Sequence, residues 1–205
     1  MYQIMNPEGR SVSNMMRIMA NRIDTIATAI NQDEVASFID GILEAKRIYV
    51  IGAGRSGLVA KSFAMRLMHT GFISYVVGET ITPAVAEGDL LVAFSGSGNT
   101  KYVADIAETA KSIGVKVALV SSNKDSRVGK IADYFIKIET QRDPIQQDTH
   151  EYEIRQMLGA YRSFAPLGTI FETTSLIFSD AVISTIMELR KIDESELKMR
   201  HTNIE

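Results

Sequence analysis

Short apolar runs alternate with helix-period segments along the middle of the chain. The runs lack a clean apolar–polar alternation, which is typical of parallel strands covered on both faces. The predicted strands are Arg47–Ile51, Ser74–Val77, Leu90–Phe94, Val115–Val120 and Tyr134–Ile138. Helices are predicted between them, most clearly over Ser56–His69, which Gly71 ends, and over Lys101–Ser112. This order predicts an α/β fold with a doubly wound, five-stranded parallel sheet.

Helical periodicity also flanks this core. Ser13–Ile30 carries methionines and isoleucines at helical spacing, and a helix over Glu34–Ala45 follows Asp33, a residue suited to the N-cap. We expect the methionines to pack against the domain's own core, with a partner subunit as the alternative. Beyond the sheet, Asp148–Leu158 favours a helix, and a long helix with an apolar face is predicted over Ile170–Lys191.

One domain accounts for all 205 residues. We divide it into an N-terminal helical arm (1–45), an α/β core (46–140) and a last segment (141–205). The last segment carries the long helix and a charged tail, and we expect it to contribute to the functional site.

Composition narrows the class of protein. Hydrophobic residues make up 45% and charged residues 23%, as in globular proteins. A net charge of −3 offers no general basis for binding nucleic acid or acidic membranes. The chain has no cysteine, which excludes thiolate chemistry and suits a reducing compartment. No apolar stretch reaches the ~18 residues of a membrane span, and no signal-peptide core is present, so we expect a cytoplasmic protein.

The loop Ser95-Gly96-Ser97-Gly98-Asn99-Thr100 joins a predicted strand to a predicted helix. In a parallel sheet such a loop offers backbone N–H groups and a helix N-terminus to an anion. Its three hydroxyl residues add donors, and its glycines allow close approach. Because the GxxxxGK[ST] pattern is absent, we interpret the loop as a cradle for a phosphomonoester. The alternative is an ordinary Ser/Gly turn with a helix cap.

A second glycine loop, Gly52-Ala53-Gly54-Arg55-Ser56-Gly57, matches GxGxxG between a strand and a helix. With Glu79 near the end of the next strand, it raises dinucleotide binding as an alternative. A hydroxyl-rich second loop is not needed for a dinucleotide, whereas a phosphosugar between two loops would use both. Arg55 also suits a small, highly polar ligand.

Together these motifs resemble the sugar isomerase (SIS) domain, with Ser121-Ser122-Asn123 after the fourth strand as a third element. Within that superfamily the chain resembles the 6-phospho-3-hexuloisomerase family. The supporting segments are Gly78–Pro83, Ala165–Glu172 and the terminal Arg200-His201-Thr202-Asn203-Ile204-Glu205. The family tail more often reads RHANLE, so Thr202 and Ile204 depart from it.

The resemblance implies a flavodoxin- or Rossmann-like fold and interconversion of D-arabino-hex-3-ulose 6-phosphate with fructose 6-phosphate. That reaction serves formaldehyde fixation or pentose phosphate supply. The resemblance also implies a homo-oligomer, in the form of a tetramer, whose sites are shared between subunits. Proton transfer through a cis-enediol(ate) needs a base and a group serving the oxygens, and it needs no cofactor or metal.

The resemblance implies the following roles. Glu172 is the shuttling base, His201 serves the oxygens, either from the same chain or from an adjacent subunit, and Arg55 stabilises the enediolate or binds hydroxyls. The expected substrate and phosphate contacts are Gly52, Gly54, Ser56, Ser95, Gly96, Ser97, Thr100, Ser121 and Ser122.

Each catalytic role has a structural alternative. Thr169-x-x-Glu172 before an apolar run also forms a capping box, His201 near a terminus would usually be solvated, and Arg55 could be a structural ion-pair partner. His69 lies in the last turn of a predicted helix, where a cap or a favourable interaction with the helix dipole explains it without a catalytic role. His150 is expected at the surface.

Two other functions remain open at this stage. One is a non-catalytic module that senses a sugar phosphate, and the other is an isomerase for another phosphosugar, such as arabinose 5-phosphate.

Overall fold

The computed structural model describes residues 12–140 and 169–201. Its helices are α1 (Val12–Ala29), α2 (Gln32–Glu44), α3 (Arg55–His69), α4 (Lys101–Ser112), α5 (Thr169–Arg190) and α6 (Glu194–Arg200). Its strands are β1 (Ile48–Gly52), β2 (Ser74–Val76), β3 (Leu90–Phe94), β4 (Lys116–Ser121) and β5 (Tyr134–Lys137). The expected helix over Asp148–Leu158 and the residue His150 lie outside these ranges.

The five strands form one parallel sheet in the order β2-β1-β3-β4-β5. The predicted fold class is therefore confirmed, including the long C-terminal helix. Strand and helix bounds agree with the predicted ones to within one or two residues, because buried parallel strands and amphipathic helices carry clear apolar patterns.

Alternate side chains of each strand enter two separate cores. Ile48 and Val50 of β1 face one core, which α1, α2, α3 and α5 cover. Tyr49 and Ile51 face the other, which α4 covers together with residues from the loops. Helices α3 and α4, which follow β1 and β3, thus lie on opposite faces of the sheet.

Helix α1 departs from expectation. Ile26 is its one buried residue, whereas Met16 is 65% exposed and Met15 and Met19 are half-buried. The expectation that the methionines pack into the domain's own core is therefore wrong for the N-terminal half of this helix.

Helix α2 begins earlier than predicted, and its N-cap is Asn31 rather than Asp33. The Asn31 side-chain oxygen accepts from the backbone N–H groups of Asp33 (2.9 Å) and Glu34 (3.2 Å). Asp33 instead lies in the first turn, where its charge favours the helix dipole.

Contrary to the expectation that no stretch of the chain is long and apolar enough for a membrane span, helix α5 meets that criterion by length and composition. It packs against α3 and α1 in the fold, and eight of its residues are buried. A core helix passes the same test, and this helix carries Glu172 to the carboxyl edge of the sheet.

The end of α5 is closed by a six-residue hydrogen-bonded motif. Ile192 N–H donates to the Met187 carbonyl (2.9 Å) and Lys191 N–H to the Glu188 carbonyl (3.2 Å). Lys191 has φ +53°, a left-handed conformation that helix ends usually assign to glycine.

We predict that Lys191→Gly stabilises the protein by about 0.5–1 kcal/mol, because glycine adopts this conformation without the strain that a Cβ imposes. Chemical denaturation would measure the free energy of unfolding. Lys191→Ala is the matched control, since it removes the charge and keeps the Cβ, and it should leave stability nearly unchanged. Equal stabilisation by both variants would assign the effect to the lysine charge instead.

Candidate active site

The site lies where β1 and β3 end side by side. Gly52 and Phe94 are paired at the carboxyl ends of these strands. From this point the chain continues into α3 on one face and into α4 on the other. In open α/β sheets, ligands bind in the crevice that forms at such a switch point.

The first loop makes a tight turn from β1 into α3. A Cβ on Gly52 would lie 2.6 Å from the backbone of Ser56, and a Cβ on Gly57 would lie 2.9 Å from the Gly52 carbonyl. Gly54 is the N-cap of α3 and has φ +56°. Glycines are therefore required by close helix–strand packing and by backbone conformation, which explains the GxGxxG match without a dinucleotide.

The second loop spans Ser95–Thr100 and is named the phosphate loop after the ligand that the sequence predicts for it. The Gly98 N–H donates to the Ser95 hydroxyl (3.1 Å), and the Asn99 N–H donates to the Ser97 hydroxyl (3.1 Å). The hydroxyl oxygens of Ser95 and Thr100 lie 3.4 Å apart. The loop is thus closed on itself, and the Ser97 hydroxyl keeps its own hydrogen for another acceptor.

Ser121 and Ser122 hold the phosphate loop from the neighbouring strand. Both hydroxyls donate to the Gly96 carbonyl, at 3.2 and 2.7 Å, and the Ser122 N–H donates to it at 3.2 Å. A hydroxyl has one hydrogen, so in this arrangement neither serine offers its hydrogen to a ligand. Their geometry suits holding the loop in shape.

The helices that begin at this edge differ from the capped helices. The N-caps of α3 and α4, Gly54 and Thr100, make no side-chain cap hydrogen bond, and neither first turn contains an acidic residue. By contrast, α2 and α6 are capped by Asn31 and Asp193 and carry acidic residues in their first turns. The positive ends of α3 and α4 are thus left open to an anion.

Glu172 lies in the first turn of α5, beside the phosphate loop. The ring of the preceding residue, Phe171, packs against Gly96, 3.4 Å from where a Cβ would stand. This contact holds the start of α5 against the loop and brings the Glu172 carboxylate to the crevice.

Glu172 and Arg55 form an ion pair across the crevice. Arg55 Nε lies 3.5 Å from Glu172 Oε2, and the side chains are 58% and 14% exposed. Within residues 12–140 and 169–201, Oε2 is buried and has no hydrogen-bond partner. Burial raises the pKa of Glu172, and the positive charge of Arg55 partly opposes that rise. A poorly solvated carboxylate with a raised pKa is suited to accept a proton from carbon.

His201 lies away from the Glu172–Arg55 ion pair of the same chain, at the other end of α3. Its ring stacks on His69 with centroids 5.0 Å apart, and Arg200 Nη1 donates to the His69 carbonyl (3.4 Å). His69 is only 3% exposed. Burial is the largest cause that lowers its pKa, and the neighbouring His201 and Arg66 lower it further. Because His69 follows Arg55 by fourteen residues of helix, His201 lies about 21 Å along α3 from the ion pair.

Two further features, helix α6 and the ion pair of Glu79, are not predicted by the sequence patterns. Helix α6 is short and polar, so no apolar period predicts it, and it packs against α3, where His201 stacks on His69. Glu79 pairs with Lys61 at 2.5 Å, a contact that ties the loop after β2 to α3. The residues Ala165–Gly168 and Thr202–Glu205, which carry much of the family resemblance, lie outside the described ranges.

Comparison with known proteins shows the family. The SIS domain model matches residues 41–154. The 3-hexulose-6-phosphate isomerase of Bacillus subtilis is 42% identical over 90% of this chain and 94% of its own length. The enzyme of that name from Methanocaldococcus jannaschii is 38% identical over 91% and 95%.

A solved structure points the same way. A Methanococcus jannaschii protein, whose crystal structure infers a molecular function of 3-hexulose-6-phosphate isomerase, superposes with a TM-score of 0.78. It is 37% identical, and the match covers 94% of this chain and 99% of that one. The chain therefore belongs to the SIS domain family, alongside relatives named 3-hexulose-6-phosphate isomerase, and it is an isomerase.

Proposed function

We propose that the protein interconverts D-arabino-hex-3-ulose 6-phosphate and fructose 6-phosphate. The observation that carries the proposal is the Glu172 carboxylate beside two uncapped helix N-termini at one switch point. The phosphate would bind the phosphate loop through Ser97, Thr100 and backbone N–H groups. The sugar chain would then extend toward Glu172 and the N-terminus of α3.

In the proposed mechanism, Glu172 removes the proton from C2 of the 3-ketose. Electrons move toward the C3 oxygen, and a cis-enediolate forms across C2 and C3. A proton then moves from the C2 hydroxyl to the C3 oxygen, and Glu172 returns its own proton to C3, which leaves the carbonyl at C2 and a hydroxyl at C3. Arg55 and the positive end of α3 would stabilise the negative charge on the oxygens.

Rival functions have less support. For dinucleotide binding, the acid that the ribose would require is Glu79, which forms an ion pair with Lys61. The GxGxxG pattern is accounted for by close backbone packing. A non-catalytic sensor has no use for a buried carboxylate with a raised pKa. An arabinose 5-phosphate isomerase would share the phosphate loop and the base, so the position of proton exchange has to discriminate between substrates.

We further propose that the site is completed in a homo-oligomer, a tetramer by family resemblance, in the cytoplasm. The reaction would serve formaldehyde fixation or pentose phosphate supply. The distance between His201 and Glu172 of one chain supports a site in which His201 comes from a neighbouring subunit. There its imidazole would carry a proton between the C2 and C3 oxygens.

Proton NMR of fructose 6-phosphate with the protein in D₂O tests the reaction. We predict loss of the C3 proton signal and appearance of a second ketose 6-phosphate. In Glu172→Gln both changes should slow by at least about a thousandfold, since an amide cannot accept the proton. Glu188→Gln, an exposed change on the same helix, is the control and should retain activity.

Other results of this experiment would redirect the assignment. Exchange at C1 would indicate an aldose–ketose isomerase with the same fold. Absence of any exchange or product would refute the isomerase reaction on this substrate. Normal turnover in Glu172→Gln would remove that residue from the mechanism.

The pKa of Glu172 predicts a pH dependence. The ionised carboxylate is the active form, so kcat/KM should fall as pH drops through its raised pKa. Because Arg55 holds that pKa down, Arg55→Gln should raise it further and move the acid limb to higher pH. Arg66→Gln, farther along α3, should leave the limb in place. An unshifted limb in Arg55→Gln would show that the pair does not act on the base.

Mixing inactive variants tests the origin of His201. Glu172→Gln and His201→Ala subunits should each be inactive alone. If each site takes its glutamate and its histidine from different chains, random reassembly should restore about one quarter of wild-type activity, the product of two probabilities of one half. If mixed oligomers are verified and their activity does not recover, the Glu172 and His201 of each site come from the same chain.

A further inference from the structure

The turn at residues 123–129, between β4 and β5, packs on the phosphate loop although none of the proposed substrate contacts lies there. The Arg127 N–H donates to the Asn99 side-chain oxygen (2.9 Å), and the Val128 N–H donates to the Gly98 carbonyl (3.2 Å). These bonds join segments about thirty residues apart in sequence. They hold the far end of the loop, whereas Ser121 and Ser122 hold its near end.

The packing between loop and turn is close. Gly98 has φ +66°, and a Cβ there would overlap the Ser126 hydroxyl. Ser126 is itself fixed, because its hydroxyl donates to the Asn123 carbonyl (2.8 Å) and accepts from the Gly129 N–H (3.1 Å). The turn is therefore a shaped surface against which the loop rests.

The turn is also fastened to the helix that the loop begins. Arg127 Nε lies 3.0 Å from one Glu108 oxygen, and Arg127 Nη2 lies 2.8 Å from the other and 2.9 Å from Asp105. Loop, turn and α4 thus form one connected unit, and the Asn99 side chain joins its first two parts together with the bond between the Val128 N–H and the Gly98 carbonyl.

We propose that Asn99 is a positioning residue for the phosphate loop, fixing the loop's far end through the Arg127 N–H before substrate arrives. This inference rests on the proposed function. A loop ordered in advance does not lose that conformational freedom on binding, so phosphate affinity increases. An amide suits this role because it accepts a hydrogen bond and carries no charge. An aspartate would accept the same bond but would place a negative charge beside the phosphate.

Asn99→Ala tests the inference. It removes the acceptor, and we expect the KM for fructose 6-phosphate and the Kd for inorganic phosphate to rise about five- to tenfold, the value of one hydrogen bond. The kcat should stay near that of the wild type, because Glu172 and Arg55 are untouched. A residue that merely supported the fold would lower the melting temperature without this separation of KM from kcat.

Arg127→Ala is the matched control. It removes the side-chain pairs to Asp105 and Glu108 and keeps the backbone N–H that Asn99 accepts, so phosphate affinity should remain near that of the wild type. The inference is overturned if Asn99→Ala binds phosphate normally, if it loses kcat instead, or if Arg127→Ala weakens binding equally. Failure of the wild-type protein to bind inorganic phosphate or fructose 6-phosphate would count against the proposed function itself.

Discussion

The parallel pairing of β1 with β3 is the constraint on which the site depends. The chain leaves β1 toward one edge of the sheet and β3 toward the other, so α3 and α4 cover opposite faces. Their N-termini therefore separate at the carboxyl ends of the two strands and open a crevice. Helix α5 reaches that crevice, where the ring of Phe171 packs against Gly96. The juxtaposition of two helix N-termini with the Glu172 carboxylate thus follows from backbone topology and from the packing of α5 on the loop.

Polar groups at this edge divide into those that shape the loops and those left for a ligand. The Gly96 carbonyl takes the hydroxyls of Ser121 and Ser122, and the Asn99 oxygen takes a backbone N–H. Among the described residues, the groups left for a ligand include the positive ends of two helices, the hydrogen of the Ser97 hydroxyl and the Glu172 carboxylate with Arg55. This separation lets a small charged substrate meet a surface that needs little rearrangement, which is the main requirement of electrostatic stabilisation.

Much of this fold could be predicted from the sequence because β3, α3 and α4 carry patterns that buried strands and amphipathic helices require. The N-cap of α2 could not, since Asn31 and Asp33 are both good caps and periodicity does not choose between them. Glycine spacing and hydroxyl content located both loops. The direction of the Ser121 and Ser122 hydroxyls, and the stacking of His201 on His69, depend on tertiary contacts that no local pattern encodes.

The burial of the Glu172 carboxylate also lowers the stability of the fold at the pH values where the carboxylate is ionised. Its pKa is raised in the folded chain, so the unfolded chain ionises more readily, and stability falls as pH rises from the ordinary carboxyl pKa through the raised one. Above that window the fold bears the full penalty of a poorly solvated charge. Under the proposed mechanism, selection of variants for thermal stability alone would therefore favour loss of the charge at this position and enrich inactive proteins.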